Sequence, residues 1–442
     1  MYTWHDANYN KRLKLTIDGS KIKEDLYNFP IMIHLSNSSG ITKVDTTCVF
    51  DELEDNSKKI ALYTAVSSSD TQCYVEVDYW STSSGFEDAV LWTKIPTISS
   101  GTDLDLYLYY DKNVSDNSYV GHIGEYPAQQ VWDSNFKAVY HLSQSPTGGN
   151  GCIKDSTGNN NDGTPHGNMT SDDLVDGQVG KALDFDGSDD YVNCGNSTSL
   201  DITSTLTLEA IICPGSDLAS GLTTIKGIIS KQHVPTLDQD TYCFFINTSG
   251  KLQMGTYGGN IQSSRATWTG GVNYYVAGTY ESSTLSGDLF IDGIKETLSV
   301  DNYDTIAGST NDLTIGVNKP SANEFWEGKI DEIRISNVVR SNAWLKATYY
   351  SFFDNLITYS TEEIKPSFIF SGYVKVNNVP VARTVYLYRR LTGELVGSTI
   401  SNSSTGYFEI PTPYDDYHFV VILPKLDESY NIIAKDKIKY GD

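Results

Sequence analysis

Residues 104–110 read Leu-Asp-Leu-Tyr-Leu-Tyr-Tyr, and their strict alternation puts Leu104, Leu106 and Leu108 on one face of an extended chain. A half-buried strand gathers such side chains automatically, because successive side chains point to opposite faces. The same texture recurs at 12–17, 30–35, 59–66, 73–80 and 90–95. It continues at 181–194, 206–213, 226–230, 241–248, 274–280, 287–299, 312–317 and 328–336. Each run is β-branched or aromatic and is bounded by Ser, Gly, Asp or Asn. Asp292-Gly293 lies inside the run 289–294 and is a two-residue hairpin signal, since Gly supplies the positive φ of a type I′ turn. The expected fold class is all-β, built of sandwiches. Only one segment reads as a helix: Ser341 or Asn342 caps it, and Trp344, Leu345, Ala347 and Thr348 follow.

The chain has 442 residues, about three domains at roughly 150 residues each. The polar break Asn113–Ser118 closes a first block, 1–118. A second block spans 131–354, and a third, 363–442, begins in the stretch Glu362–Pro366. The region 144–180 is poor in large apolar residues and rich in Gly, Asn, Asp and Thr, so it reads as long loops on a sandwich rim. Asp+Glu exceed Lys+Arg by 56 − 32 = 24, a formal charge of −24. That balance argues against gripping phosphate backbones and against docking on anionic lipid. No apolar run approaches the roughly 20 residues of a membrane span, so no membrane insertion is expected. The opening residues, Met1 to Asp6, carry no basic and apolar leader pattern, and no secretory signal is expected from them. Six cysteines without a C-x-x-C pair are expected to be buried thiols or to include a stray bridge.

Seven phrases in the middle block follow one another in a set order. They are Val131–Asp133, Ala138–Leu142, Asp155–Gly163, Gly177–Gly187, Leu206–Ile212, Leu289–Gly293 and Gly328–Ile335. In that order the block resembles the laminin-G-like, concanavalin-A-like jelly-roll domains. Cys213 departs from the Trp or Val that many members show there. Lys11–Asp18, Asn28–Leu35, Val90–Pro96 and Leu106–Tyr110 make the first block similar to a small β-sandwich family of unknown function that commonly precedes such domains. Phe370–Val374, Val381–Arg390, Thr392–Glu394, Thr405–Phe408 and Tyr430–Ile433 carry a third likeness. With them the last block resembles the immunoglobulin-like or carboxypeptidase-regulatory-like modules that end many tailed-phage virion proteins. These resemblances imply three tandem β-sandwich domains, the central one a concanavalin-like jelly roll.

Some glycosidases of the concanavalin-like fold set two carboxylates at i and i+4 on one strand face, about 5 Å apart. Here Ile335 stands four residues after Asp331, and Ser336 four after Glu332. Asp331 and Glu332 are adjacent and are expected on opposite faces. There is no G-x-S-x-G, no P-loop and no dinucleotide fingerprint, so no enzyme is expected. Calcium needs six to eight oxygen ligands, and the stretch 155–163 is rich in them. Many jelly-roll domains hold one structural calcium with an Asp of the last strand and loop oxygens. The resemblance therefore nominates Asp155, Asp186 and Asp331 as metal ligands; as turn formers and solvated acids they need no ion. A sugar site needs an aromatic platform beside Asp, Asn or Gln groups. Tyr257, Trp268 and Trp326 are the candidates, with Tyr274 and Tyr275 near them.

The resulting expectation is a surface protein of a tailed-virus particle, placed on the tail, baseplate or capsid exterior and working as an oligomer within a larger assembly. It would contact other virion proteins and bind a host-surface glycan, without nucleic acid. A bacterial or archaeal cell-surface adhesin and a purely structural decoration protein are the alternatives.

Overall fold

The computed structural model describes residues 4, 6–64, 71–231, 241–255, 259–306, 308–318, 323–414, 416–423 and 433–438. The chain forms two compact units, Leu13–Thr361 and the pair of segments Met1–Arg12 with Glu362–Asp442.

In the larger unit, one small sheet runs in the order Leu26–Leu35, Asp88–Ile98, Val75–Ser81, Val120–His122. The sheet against it runs Ile357–Tyr359, Lys11–Ile17, Leu104–Tyr110, Ile60–Thr64, Thr71–Cys73. The alternation at 104–110 behaves as a half-buried strand should: Leu106 and Leu108 are buried, and Leu104 packs at the edge of the core. Two eight-stranded sheets follow and make the jelly roll. One has the order Leu174–Asp176, Lys181–Asp186, Glu327–Ser336, Thr205–Pro214, Tyr274–Glu281, Leu289–Ile291, Ile294–Lys295, with Phe136–Tyr140 beside Glu327–Ser336. The other is centred on Lys226–Ser230 and Cys243–Ile246. Leu208, Ile212, Phe244, Met254, Val276 and Ile330 lie in the core between these two sheets. The architecture is all-β sandwich, as the alternating runs require.

Of the two blocks drawn as 1–118 and 131–354, residues 13–118 and 131–354 fall inside this one unit and share apolar burial, while residues 1–12 group with the smaller unit. Leu91, Trp92, Trp132, Val139, Tyr275 and Phe352 belong to a single buried cluster. The helix Asn342–Phe352 joins it. Ser341 Oγ accepts the Trp344 N–H at 3.2 Å, the expected cap. Trp344 meets Phe29 edge-on at 4.9 Å, and Ser351 Oγ accepts the Met32 N–H at 2.9 Å. Asp292 and Gly293 have φ of 53° and 65°, and Ile291 pairs with Ile294 across the turn. None of the six cysteines, all among the described residues, is in a disulfide; Cys48 and Cys152 are half-buried and the other four buried.

The smaller unit packs Phe370, Val374, Val385, Leu387, Phe408, Ile410 and Val420 into a core of its own. Its main sheet runs Leu395–Ile400, Thr384–Arg389, His418–Ile422, Ile433–Ile438. Arg12 pairs with Glu363 at 2.7 Å. Among the described residues no helix is long and apolar enough to cross a membrane.

Candidate functional site

A groove of about 730 Å³ opens in the larger unit where the N-terminal sheet meets the jelly-roll hairpin 174–186. The N-terminal side contributes the end of Leu26–Leu35, the polar run Ser36-Asn37-Ser38, and the turn between Val75–Ser81 and Asp88–Ile98. That turn carries Phe86 with 81% of its surface exposed, against a half-buried Tyr79. The jelly roll contributes Asp176, Gln178 and Lys181. An aromatic ring held in water beside hydroxyls, amides and carboxylates has apolar area to offer and polar partners to orient what covers it.

Apart from Glu87, which also lines the groove and accepts the Gly85 N–H at 3.1 Å, the groove's charges are paired internally. His34 Nε2 lies 2.8 Å from Asp88 and Nδ1 3.2 Å from Asp354. Burial works against a charge on this ring, but its hydrogen bonds to Asp354 and Asp88 outweigh burial and raise its pKa to about 9. Lys181 Nζ sits 2.6 Å from Asp176. That hydrogen bond raises the lysine's pKa and lowers the aspartate's.

Asp331 builds the groove's jelly-roll wall from behind. Its Oδ2 accepts the N–H groups of Gln178 and Val179 at 3.0 and 2.9 Å, which holds the turn 177–180. Burial, and then the charge on Glu332, push its carboxyl well above the usual carboxylate range. Its Oδ1 is buried without a hydrogen-bond partner among the described residues. The turn itself presses on the N-terminal sheet: a Cβ on Gly180 would stand 3.2 Å from Tyr79 Cβ.

The residues nominated from sequence lie elsewhere. Asp155 is fully buried, and accepts from the N–H groups of Val139, Thr157 and Asn161 and from the Thr157 hydroxyl. Burial pushes it up to about 6 against those bonds. It organises its own loop. Asp186 is exposed, and its Oδ1 accepts from Ser188, Asp189 and Asp190, closing a turn. Among the described residues, the groups whose ligand atoms gather within 4.8 Å are Asp186 with Asp189 and Asp190, and Asp78 with His141 and Glu332. Asp155, Asp186 and Asp331 thus do not converge, and the three do not make one calcium cage.

Trp268 and Trp326 are core residues, 2% and 0% exposed. The Trp268 indole donates to Gly250 O at 2.8 Å and its ring meets Tyr274 edge-on at 5.1 Å. Tyr274 and Tyr275 are buried too. A buried ring has no face for a sugar, so these side chains are not its platform. Tyr257 lies outside the described residues. Phe86 carries no motif; its one legible signal is an aromatic inside the turn-forming run Ser83-Ser84-Gly85.

One orientation expected from sequence is corrected. Glu209 pairs with Arg334 and Ile211 with Asp331, so the register shifts by a bulge, and Glu332 has a φ of 51°. A bulge sets two residues against one and breaks the alternation. Ile330, Ile333 and Ile335 enter the jelly-roll core. Asp331 and Glu332 both turn from it, rather than to opposite faces.

No curated protein sequence matches the chain. Among solved structures it is similar to domain 4 of an extracellular arabinanase from Geobacillus stearothermophilus, in complex with arabinotriose. The identity is 18%, over 48% of this chain and 97% of that one, with a TM-score of 0.36. It is also similar to the binding domain of Paraclostridial Mosquitocidal Protein 1, at 15% identity over 70% and 74% of the chains, with a TM-score of 0.38. A third is the ligand binding domain of botulinum neurotoxin serotype D in complex with N-acetylneuraminic acid, at 12% identity over 67% and 73%, with a TM-score of 0.35. Residues 186–346 match the family model Laminin_G_3, the concanavalin A-like lectin/glucanases superfamily, and this part of the chain is a concanavalin-A-like jelly-roll domain.

Proposed function

We propose that the protein is a glycan-binding surface protein of a tailed-virus particle, and that the groove between the N-terminal sheet and the hairpin 174–186 holds the sugar. The observation that carries the reading is the placement of Phe86, 81% exposed, in one groove with Ser36, Asn37, Ser38, Asp88 and Gln178. A pyranose stacks its C–H face on such a ring while its hydroxyls take the surrounding donors and acceptors. The lectin and glucanase superfamily to which residues 186–346 are similar supports a sugar as the ligand. The internal pairing of His34 with Asp88 and Asp354, and of Lys181 with Asp176, together with the further carboxylate of Glu87, supports a neutral sugar over an anionic one. The reading is one of binding without catalysis. Its virion setting rests on the likeness of the 363–442 block to tailed-phage modules, and the charge of −24 suits solubility at high copy number.

The test is a glycan array probed with the full chain, followed by calorimetry on any sugar retained. Binding that Phe86→Ala weakens supports the reading. An array with no retained glycan, or a glycan bound equally by Phe86→Ala and Asn37→Ala, overturns it. Electron cryo-microscopy of particles carrying the chain tests the virion setting: the groove must face outward, and a groove clamped by neighbours makes the protein a structural cement.

A further inference from the structure

Behind the groove, the larger unit encloses a second cluster that is closed to solvent. Asp78 comes from the strand Val75–Ser81, His141 follows the strand Phe136–Tyr140, and Glu332 sits at the bulge of Glu327–Ser336. Asp78, His141 and Glu332 each offer a ligand atom, and these atoms lie within 4.8 Å of one another. His141 Nδ1 contacts Glu332 Oε1 directly and lies 3.6 Å from Asp78 Oδ2. The three side chains are all but fully buried.

The surroundings hold the carboxylates by their outer atoms, and the Trp92 indole N–H also reaches the inward Asp78 Oδ2 at 3.5 Å. Ser143 Oγ donates to Asp78 Oδ1 at 2.6 Å, and Arg334 Nη2 donates to Glu332 Oε2 at 2.9 Å. His141 Nε2 lies 3.4 Å from Glu76 Oε2, which also accepts the Trp132 indole N–H at 2.6 Å. Glu76 is itself fully buried, and its Oε1 has no hydrogen-bond partner among the described residues. Burial opposes a charge on the imidazole, but the carboxylates of Asp78, Glu332 and Glu76 outweigh it and raise its pKa well above the usual value, so without metal the ring is a cation among three acids. A divalent ion would take the place of the Nδ1 proton between the two inward carboxylate oxygens, where the three ligand atoms already converge. A histidine oriented by a carboxylate on its far nitrogen, with carboxylates held by outer hydrogen bonds, is the second-shell pattern of metal sites. One nitrogen and two carboxylate oxygens suit Zn²⁺ or Mn²⁺, whereas Ca²⁺ takes an all-oxygen cage.

We propose that Asp78, His141 and Glu332 form a structural site for a divalent transition-metal ion that cross-links three separate segments of the larger unit. The proposal is independent of the sugar reading. Its test is elemental analysis of the dialysed full chain, then chelator stripping and titration with ZnCl₂, MnCl₂ and CaCl₂ while the thermal midpoint is followed. The expected result is about one equivalent of metal per chain. Stripping lowers the midpoint, and Zn²⁺ or Mn²⁺, but not Ca²⁺, restores it. Asp78→Asn weakens metal affinity by about ten-fold or more. Where that variant does not fold, Ser143→Ala, which frees the Asp78 carboxylate and the Gln144 amide, weakens it in the same direction. Three results overturn the proposal: a stripped chain that takes up neither ion with no change in midpoint, restoration by Ca²⁺ equally well, or metal retained undiminished in both variants.

Discussion

Asp331 and Val179 are 152 positions apart in sequence, yet the Asp331 carboxylate accepts the Val179 backbone N–H at 2.9 Å and so fixes one wall of the groove. With the Gln178 N–H at 3.0 Å, this bond makes a buried acid the support of a turn. Asp331→Ala leaves two N–H groups without their acceptor and is expected to cost about 1–3 kcal/mol. Asp331→Asn keeps an acceptor oxygen and adds no charge; since burial and Glu332 already hold the carboxyl toward its neutral form, it is expected to cost less. Urea midpoints of the two variants check this. An Asn variant as unstable as the Ala variant refutes the account.

The aromatic side chains divide by burial, and their substitutions are expected to divide by readout. Phe86→Ala removes an exposed ring and should leave the urea midpoint within about 0.5 kcal/mol of the parent. It should weaken glycan binding by about five-fold, the equivalent of about 1 kcal/mol. Trp326→Ala opens a core cavity and is expected to cost about 3–5 kcal/mol. Calorimetry and denaturation on the pair provide the check, and a Phe86→Ala chain that unfolds early contradicts the assignment.

His34 predicts a pH dependence with a definite sign. Its folded pKa of about 9 exceeds the usual 6.5 because Asp354 and Asp88 outweigh the burial that opposes charge. Lys43, 3.7 Å from Asp354, is the other cation at this end of the groove. A raised pKa contributes stability that is complete below pH 6.5 and is lost as pH rises through 9. The contribution is roughly 3 kcal/mol by the linkage of 1.36 kcal/mol per unit. Urea midpoints measured from pH 6 to 10 should fall across that window in the parent and much less in His34→Gln. Equal slopes in both chains remove His34 from the explanation.

Gly180 has a φ of 54°, and a Cβ there would stand 3.2 Å from Tyr79 and 3.4 Å from Val90. Gly149 also has positive φ, 84°, but opens onto empty space. Gly149→Ala should therefore carry only the backbone strain of its φ of 84° and ψ of −158°, about 1–3 kcal/mol. Gly180→Ala should carry backbone strain and the displacement of Tyr79, and so weaken sugar binding as well. Thermal melts and the glycan assay on both variants test the difference; a Gly180→Ala chain with full affinity argues against a packed groove wall.

What the sequence alone determined was local. Alternation at 104–110, the Asp292-Gly293 turn and the Ser341 cap each depend on neighbours in the chain, and each stands where the pattern puts it. The all-β class follows from many such runs. The site was decided by tertiary structure. Trp268 and Phe86 both stand in short stretches rich in Ser, Thr and Gly, and only the packing of distant strands buries one and exposes the other. The side to which Glu332 points was invisible for a similar reason. A bulge exists only as a mismatch of register between two strands, here Thr205–Pro214 and Glu327–Ser336, and one strand read alone keeps its period of two. Pairing across the chain, rather than residue type, sets Asp331 behind the groove and Glu332 beside His141.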